Sequence, residues 1–303
     1  MSDTLPADSW IALIVGNTRL HWGLFEQQTL ISVSHTPHLA SASNRVARQT
    51  IGTLVGEKGV CDRTPKSLWI ASVVPTQTAL CLQAFTAGGL ACYELTCYEV
   101  ERSHIPIHNL YATLGIDRAI NLLGAQTQVG WPALVIDAGT ALTFTAGYQA
   151  AGYQTASYQT ADWHTNSAAS TSLYGGAILP GLRLQATSLG IGTASLEAFT
   201  TQSQSLLHQA HLPTRWANDT DGAIASGIVY GAIATITDTL ADWWQRFPQG
   251  KGVLTGGDGP LLHRFLQQKT PELASRVSLN PDLMFYGLSR YRQTRLAAVS
   301  EAE

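Results

Sequence analysis

The sequence predicts an α/β protein built from two related domains, and three observations support that fold class. Apolar segments typical of buried strands alternate with longer helix-compatible segments along the 303 residues. A strand, a glycine turn and a second strand occur together twice, at residues 10–25 and 131–148. Hydrophobic residues form 45% of the chain and charged residues only 13%, which excludes a disordered protein and suits a packed core.

The first domain is expected to span residues 1–129. It opens with the apolar strand WIALIV, which ends at the turn pair Gly16-Asn17, and TRLHWGLF then predicts the second strand of a hairpin. Apolar runs, Pro75 and helix-compatible composition then place the other elements. These are a polar helical stretch at about 39–57, strands at 67–75 and 93–100, and helices at 76–87 and 115–128.

The second domain is expected to span residues 130–303. Its opening segment, 131–148, repeats the strand–turn–strand pattern with Gly139 in the place of Gly16, although two ordinary hairpins could share this pattern by chance. The Tyr/Gln repeat at 146–165 predicts an extended hairpin or an expanded loop. The remaining predictions are a Gly-rich segment at 173–182 leading to a helix near 194–209, helices at 221–246 and 282–298, and a strand, Gly-Gly turn and helix from 251.

Charge and hydropathy exclude several classes of function. A net charge of −3 supplies no basic field for bulk nucleic-acid binding. No unbroken apolar run approaches the ~18 residues of a membrane helix. Asp3 and Asp8 lie where a secretion signal would carry basic residues. We therefore expect a soluble, cytoplasmic protein that binds neither membranes nor nucleic acid.

Three glycine turns are candidates for phosphate binding: GNT (16–18), DAGT (137–140) and TGGDG (255–259). Each follows an apolar strand and so lies at a strand's carboxyl end, where α/β folds bind ligands. Glycine lets the main chain approach a phosphate and forms a nest of N–H groups. The sequence has no G-x-x-x-x-G-K-[ST] motif, so phosphates would be held by amides, hydroxyls and a metal.

Two acidic residues have positions that suit chemistry. Asp117 lies at a predicted helix start, where the helix end and Arg118 are expected to keep its carboxylate ionised and ready to accept a hydroxyl proton. The alternative is a helix-capping acid. Asp137 leaves a buried strand directly before a glycine turn, which is costly unless the acid binds a cation or is hydrogen bonded.

The ordered set of segments resembles the type III pantothenate kinases, a family of the acetate and sugar kinase/Hsc70/actin superfamily. The segments are IVGNT, IASVVP, GIDR, VIDAGT, GGAILPGL, T-x-x-A-I-x-S-G and VLTGG, and they span roughly residues 10–290. The resemblance implies two actin-like (ribonuclease H-like) domains with a cleft between them. It also implies ATP-dependent phosphorylation of pantothenate to 4'-phosphopantothenate, the first step of coenzyme A biosynthesis, by a homodimer.

The resemblance also implies a role for each matching residue. Asp117 would be the general base, and Asp137 would bind a monovalent cation, K⁺ or NH₄⁺. ATP, with Mg²⁺, would be held through its phosphates by Gly16, Asn17, Thr18, Arg19 and Thr140. Pantothenate would contact Gly115, Ile116, Asp117, Arg118, Thr220 and Tyr111.

Two positions depart from the family pattern. Ile14 stands where the first turn of the family carries an Asp, and an isoleucine cannot ligate Mg²⁺. His108 stands where the family carries a substrate-binding Tyr, and Tyr111 is the nearest tyrosine. Two alternatives stay open. One is another small-molecule kinase of the superfamily. The other is a non-catalytic metabolite-sensing or regulatory protein derived from the kinase, and the loss of an acid at position 14 is the feature that motivates it.

Overall fold

The computed structural model describes residues 9–41, 49–51, 53–54, 65–86, 95–149, 171–192, 207 and 209–300. The chain divides into two compact units, and each unit holds one five-stranded sheet. Unit 1 comprises Met1–Pro106, Tyr111–Thr127 and Met284–Glu303. Unit 2 comprises Ile107–Leu110 and Gln128–Leu283.

Strands and helices alternate along most of the described chain. The strands are β1 (Ser9–Val15), β2 (Arg19–Glu26), β3 (Thr29–Pro37), β4 (Ser67–Ser72), β5 (Thr96–Glu99), β6 (Ala133–Ala138), β7 (Ala141–Gln149), β8 (Thr171–Pro180), β9 (Lys251–Thr255) and β10 (Val277–Leu279). The helices are α1 (Pro75–Thr86), α2 (Ile116–Gln128), α3 (Leu182–Gly192), α4 (Thr220–Arg246), α5 (Gly259–Lys269), α6 (Pro271–Ala274) and α7 (Leu283–Ser300).

The two sheets have the same topology. Unit 1 has the strand order β3-β2-β1-β4-β5, and unit 2 has the order β8-β7-β6-β9-β10. In each sheet the first three strands in sequence form an antiparallel meander, and the last two run parallel to the first strand on its other side. The duplicated hairpin of the sequence is therefore β1–β2 in one sheet and β6–β7 in the other.

The core of unit 1 lies on both faces of β1, whose residues are all buried. On one face, Ile11 and Leu13 pack in the same apolar cluster as Phe85 of α1. On the other face, Trp10 stacks on Phe25 with ring centroids 4.3 Å apart.

Helix α7, which the sequence placed in the second domain (130–303), packs within unit 1. A side chain at Gly23 of β2 would lie 2.9 Å from Phe285, so the small residue makes room for the α7 aromatic ring. The Arg292 guanidinium lies 4.9 Å from the Trp10 ring centroid, a cation–π contact. The C-terminal helix thus covers the first sheet.

The core of unit 2 is organised by α4. Its buried residues Ile224, Ile228, Ala232 and Ile236 recur at helical spacing and join one cluster with Leu254 of β9. The sequence analysis expected no membrane-length segment because it considered only unbroken runs of apolar residues. By length and composition alone, α4 is apolar enough to cross a membrane, and 50% of its most apolar stretch is buried within the structure.

The sequence missed some elements. The predictions omitted β3, β8 and β10. A helix begins at Leu182, the last residue of the Gly-rich segment 173–182, and most of that segment is strand. The helix predicted near 194–209 and the Tyr/Gln repeat beyond residue 149 lie almost wholly outside the described residues. Of the polar stretch 39–57, the described residues are 39–41, 49–51 and 53–54. Residues 39–41 are not helical, and the other two segments are.

Candidate active site

The first glycine turn, Gly16–Arg19, joins β1 to β2. The Gly16 N–H donates to the Arg19 carbonyl over 3.1 Å, which closes the turn, and Asn17, Thr18 and Arg19 are exposed. The turn therefore presents polar side chains and main-chain groups to solvent.

Ile14 lies two residues before this turn and is only 4% exposed. It pairs with His21 of β2 and with Ala71 of β4. None of these three side chains contains an oxygen atom. The end of β1 therefore offers no carboxylate to a cation.

The GIDR segment forms the start of α2. Asp117 is half-buried in the first helical turn, and its Oδ1 accepts the Arg118 backbone N–H over 2.8 Å. Burial raises the pKa of Asp117, while hydrogen bonding from the Arg118 N–H and the charge of its guanidinium act against that rise. The sequence argument included the opposing effects of the helix end and Arg118 but not the effect of burial. The net direction favours a stronger base.

Arg118 and Tyr111 lie together in unit 1. The Arg118 side chain is 5% exposed, and its Nη1 donates to the Tyr111 hydroxyl over 2.8 Å. The Arg102 Nη1 donates to the Tyr111 carbonyl over 2.9 Å and so fixes the loop before α2. His108, the other position considered for the substrate tyrosine, pairs its backbone with β8 in unit 2. Of these two positions, Tyr111 is the one placed beside Arg118.

The second and third glycine turns lie together in unit 2. Asp137 near the end of β6 pairs with Thr255 of β9, and the Asp258 N–H donates to the Ala138 carbonyl over 2.8 Å. Gly256 has a φ of +85°, and a Cβ there would overlap both Asp137 Oδ1 and the Ala138 carbonyl oxygen. Both oxygens thus lie against the Gly256 backbone, which only a glycine allows.

Thr140 is held by main-chain bonds around the second turn. The Gly139 N–H donates to the Ala141 carbonyl over 2.9 Å, and the Gly181 N–H donates to the Thr140 carbonyl over 3.0 Å. The Thr140 residue is exposed. Its hydroxyl therefore lies on a rigid turn in the same unit as Asp137.

Thr220 begins α4. The helix is capped by Asp219, whose Oδ1 accepts the Gly222 N–H over 2.7 Å. Thr220 lines an open groove of about 730 Å³ between α3 and α4. The other lining residues are Pro180, Gln185, Ser188, Leu189, Gly192, Ala223, Ile224, Gly227 and Ile228, and most of the lining is apolar.

Sequence reasoning missed three histidines beside the first turn. His21 Nδ1 lies 2.8 Å from His35 Nδ1, and His38 Nε2 donates to the Gly16 carbonyl over 2.8 Å. It also missed Arg102. The register of β2 with β3 would have paired the first two histidines, but β3 was not predicted. Within the described ranges, no group of three or more His, Cys, Asp or Glu residues is placed to hold a metal ion.

Comparison with known proteins gives a consistent family. Residues 10–155 and 165–242 match the type III pantothenate kinase family. The chain is 37% identical to a type III pantothenate kinase of Nostoc sp. strain PCC 7120, with 97% of this chain and 96% of the relative aligned. It is 34% identical to one of Synechocystis sp. strain PCC 6803, with coverages of 92% and 89%.

Among solved structures, the chain is similar to the ethanolamine utilization protein EutJ from Carboxydothermus hydrogenoformans. The TM-score is 0.51 at 10% identity, over 96% of this chain and 92% of that chain, so the likeness concerns the fold alone. This likeness and the shared topology of the two sheets confirm the predicted actin-like α/β fold class. The match to the family and the identity to its members show that this chain belongs to the type III pantothenate kinase family.

Proposed function

We propose that this protein phosphorylates pantothenate with ATP to give 4'-phosphopantothenate, the first step of coenzyme A biosynthesis. The observation that carries the proposal is the arrangement of Asp117, Arg118 and Tyr111 at the start of α2, in a chain of this family. A half-buried acid beside a buried, hydrogen-bonded cation suits a substrate that carries both a hydroxyl and a carboxylate.

Asp117 is the base of the proposed transfer. The pantothenate hydroxyl oxygen attacks the γ-phosphorus of ATP and passes its proton to the Asp117 carboxylate, while the bond to the β-phosphate oxygen breaks and ADP leaves. Because burial raises the pKa of Asp117, the carboxylate is a stronger base than an exposed aspartate.

Arg118 is the proposed partner of the pantothenate carboxylate, because a guanidinium pairs with carboxylates in a fixed geometry. The Tyr111 hydroxyl, 2.8 Å from Arg118 Nη1, orients that guanidinium and contributes a further polar group. Gly115, Ile116 and Thr220 complete the substrate contacts that the family pattern implies.

ATP is proposed to bind through its phosphates at Gly16–Arg19 and at Thr140. The first turn offers N–H groups, two hydroxyl or amide side chains and one guanidinium, and its neighbour Ile14 offers no ligand for Mg²⁺. Mg²⁺ would therefore be held mainly by the ATP phosphates themselves, as it commonly is in phosphoryl transfer. The Mg²⁺ ion would offset the negative charge of the phosphates.

Asp137 is the proposed ligand of a monovalent cation. Its Oδ1 and the Ala138 carbonyl oxygen lie near each other against the Gly256 backbone, so two oxygens are available at this turn. Oxygen ligands of this kind suit K⁺, and the cation would offset phosphate charge where no lysine motif does.

A homodimer and a cytoplasmic location complete the proposal. Ile178 of β8 is 63% exposed and Ile191 of α3 is 83% exposed, and both lie near the apolar groove of unit 2. Exposed apolar side chains of this size favour contact with a second copy. An Ile191→Asp variant that runs as a monomer beside a dimeric wild type in light scattering would support this interface.

The test of function is coupled ADP release from the purified chain with pantothenate, sugars or acetate as acceptor. The proposal requires turnover with pantothenate and none with the other acceptors. Turnover with a sugar or acetate alone would indicate another kinase of the superfamily. Pantothenate binding without ADP release from any acceptor would instead favour the metabolite-sensing alternative.

A further inference from the structure

His38 lies directly after β3 and is hydrogen bonded to the first glycine turn. Its Nε2 is 2.8 Å from the Gly16 carbonyl oxygen. A carbonyl oxygen only accepts hydrogen bonds, so the Nε2 atom carries a proton and donates it. The His38 side chain is half-buried. This bond joins the end of β3 to the turn that is proposed to hold the ATP phosphates.

The bond fixes the direction of the peptide plane between Gly16 and Asn17. This peptide is trans, because the one cis peptide bond in the described part of the chain is Trp131-Pro132. In a planar trans peptide, the carbonyl and the following N–H point in opposite directions. Since the Gly16 carbonyl is held towards His38, the Asn17 N–H points away from the imidazole.

The Asn17 N–H is an available donor of the turn. The Gly16 N–H is already bonded to the Arg19 carbonyl over 3.1 Å. Asn17 is exposed, and its N–H has no acceptor among the described residues. Backbone N–H groups in turns are donors that bind anions. The turn therefore presents an unused N–H of fixed direction to solvent.

The main chain on both sides of His38 is itself fixed. Pro37, the last residue of β3, pairs with Arg19 of β2. On the other side, Gln77 of α1 clamps Leu39: its Oε1 accepts the Leu39 N–H over 2.9 Å, and its Nε2 donates to the Leu39 carbonyl over 3.2 Å. The Leu39 side chain is buried in the core of unit 1. The imidazole is thus attached to an anchored segment and can restrain the turn.

We propose that His38 is a positioning residue: by holding the Gly16 carbonyl, it directs the Asn17 N–H at a phosphate oxygen of bound ATP. The inference rests on the proposed function, which places the phosphates at Gly16–Arg19. Without the His38 bond, the Gly16–Asn17 peptide is free to rotate. The nucleotide must then fix that rotation on binding, and this ordering weakens its affinity.

The test compares two amide side chains of different length at position 38. Glutamine in His38→Gln can place an amide nitrogen where Nε2 lies, whereas the amide of His38→Asn is one methylene too short to reach Gly16. Calorimetry on the purified full chain gives the Kd of ATP, and steady-state assays give the two KM values. His38→Asn should raise the Kd and the KM of ATP about tenfold, the lower end of what one hydrogen bond to a charged group contributes. The KM for pantothenate should stay unchanged, and His38→Gln should restore ATP binding.

His35→Asn is the matched control, because His35 is an exposed histidine of β3 whose ring contacts His21. It should bind ATP as the wild type does. Unchanged ATP affinity in His38→Asn would overturn the positioning role. An equal loss in His38→Gln or in His35→Asn, or an equal rise in the KM for pantothenate, would also overturn it.

The same measurements separate this inference from the proposed function. A wild type that binds ATP without phosphorylating pantothenate would refute the proposed function, and the ATP affinities of the variants would still decide the role of His38. A wild type that phosphorylates pantothenate, with equal ATP affinity in His38→Asn, would refute the positioning role alone. A wild type that does not bind ATP would refute both.

Discussion

Replacing Asp117 with asparagine tests the proposed proton transfer with little change of shape. Asparagine keeps a side-chain oxygen where Asp117 Oδ1 accepts the Arg118 N–H over 2.8 Å, so the start of α2 should be preserved. It removes the carboxylate that takes the hydroxyl proton. Positioned proton transfer is worth about 10²–10⁴ in rate, so kcat should fall by two to four decades. At about 1.36 kcal/mol per decade, this is roughly 3–5 kcal/mol of barrier.

The pH dependence gives a second measurement on the same residue. Burial raises the pKa of Asp117 above the ordinary value of 3.8, so the base is lost by protonation at a higher pH than an ordinary aspartate would show. The acid limb of kcat/KM should therefore lie above pH 3.8 in the wild type. Asp117→Asn should have no such limb in its residual activity.

Asp117→Asn should lower activity but raise the free energy of unfolding at neutral pH. A carboxyl whose pKa is raised on folding holds its proton more tightly in the native state, so the free energy of unfolding falls as pH rises through that window. Asp117→Asn removes this cost, and its Tm should exceed the wild-type Tm at pH 7. The difference should shrink once the pH falls below 3.8, the ordinary aspartate value.

Asp238→Asn is the control for the loss of one negative charge, because Asp238 is an exposed acid on α4. It should leave kcat and the acid limb unchanged. Wild-type turnover by Asp117→Asn would refute the assignment of the base. A raised KM for ATP with normal kcat would also contradict it, since that result would place Asp117 in nucleotide binding.

Three further predictions concern other parts of the chain. Activity should rise as K⁺ replaces Na⁺ at constant ionic strength, and Asp137→Ala should abolish that response; stimulation that persists would exclude this cation site. Tyr111→Phe removes a hydrogen bond to Arg118 and should raise the KM for pantothenate about tenfold, an effect of roughly 1.4 kcal/mol, with kcat nearly unchanged. Gly287→Ala would press a Cβ onto the α2 backbone and should lower the free energy of unfolding in urea by about 1–3 kcal/mol. Gly231→Ala is the matched control, because the space around Gly231 is open, and it should raise the free energy of unfolding by about 0.5–1 kcal/mol.

The elements that the sequence predicted are those with buried apolar runs and clear breakers. Strands β1, β4, β6 and β9 are central or nearly so in their sheets, and their apolar runs mark them. The missed strands β3, β8 and β10 are edge strands. Their residues are largely exposed or half-buried and include the polar and Gly-rich segments TLISVSHTP and LYGGAILP. An edge strand with little buried surface leaves no alternating apolar signal to find.

The positions of the candidate site were predictable, but its contacts were not. Asp117 and Asp137 were marked by a helix start and a strand end, which local sequence reveals. The Tyr111–Arg118 bond and the approach of Gly256 to Asp137 join residues that tertiary packing brings together. The net pKa shift of Asp117 likewise depends on burial, which no local pattern supplies.

The two sheets treat one equivalent position in opposite ways. Ile14 and Asp137 both lie two residues before a glycine turn, and each pairs with a parallel strand, at Ala71 in the first sheet and Thr255 in the second. In unit 2 this position is an acid, and its Oδ1 lies against the Gly256 backbone, where a Cβ would overlap it. In unit 1 this position is a buried isoleucine beside Ala71, where an unpaired carboxylate would be costly. In the proposed reaction, the first turn would therefore meet phosphate with N–H groups and the Arg19 cation, and the carboxylate proposed to bind a monovalent cation belongs to the second turn.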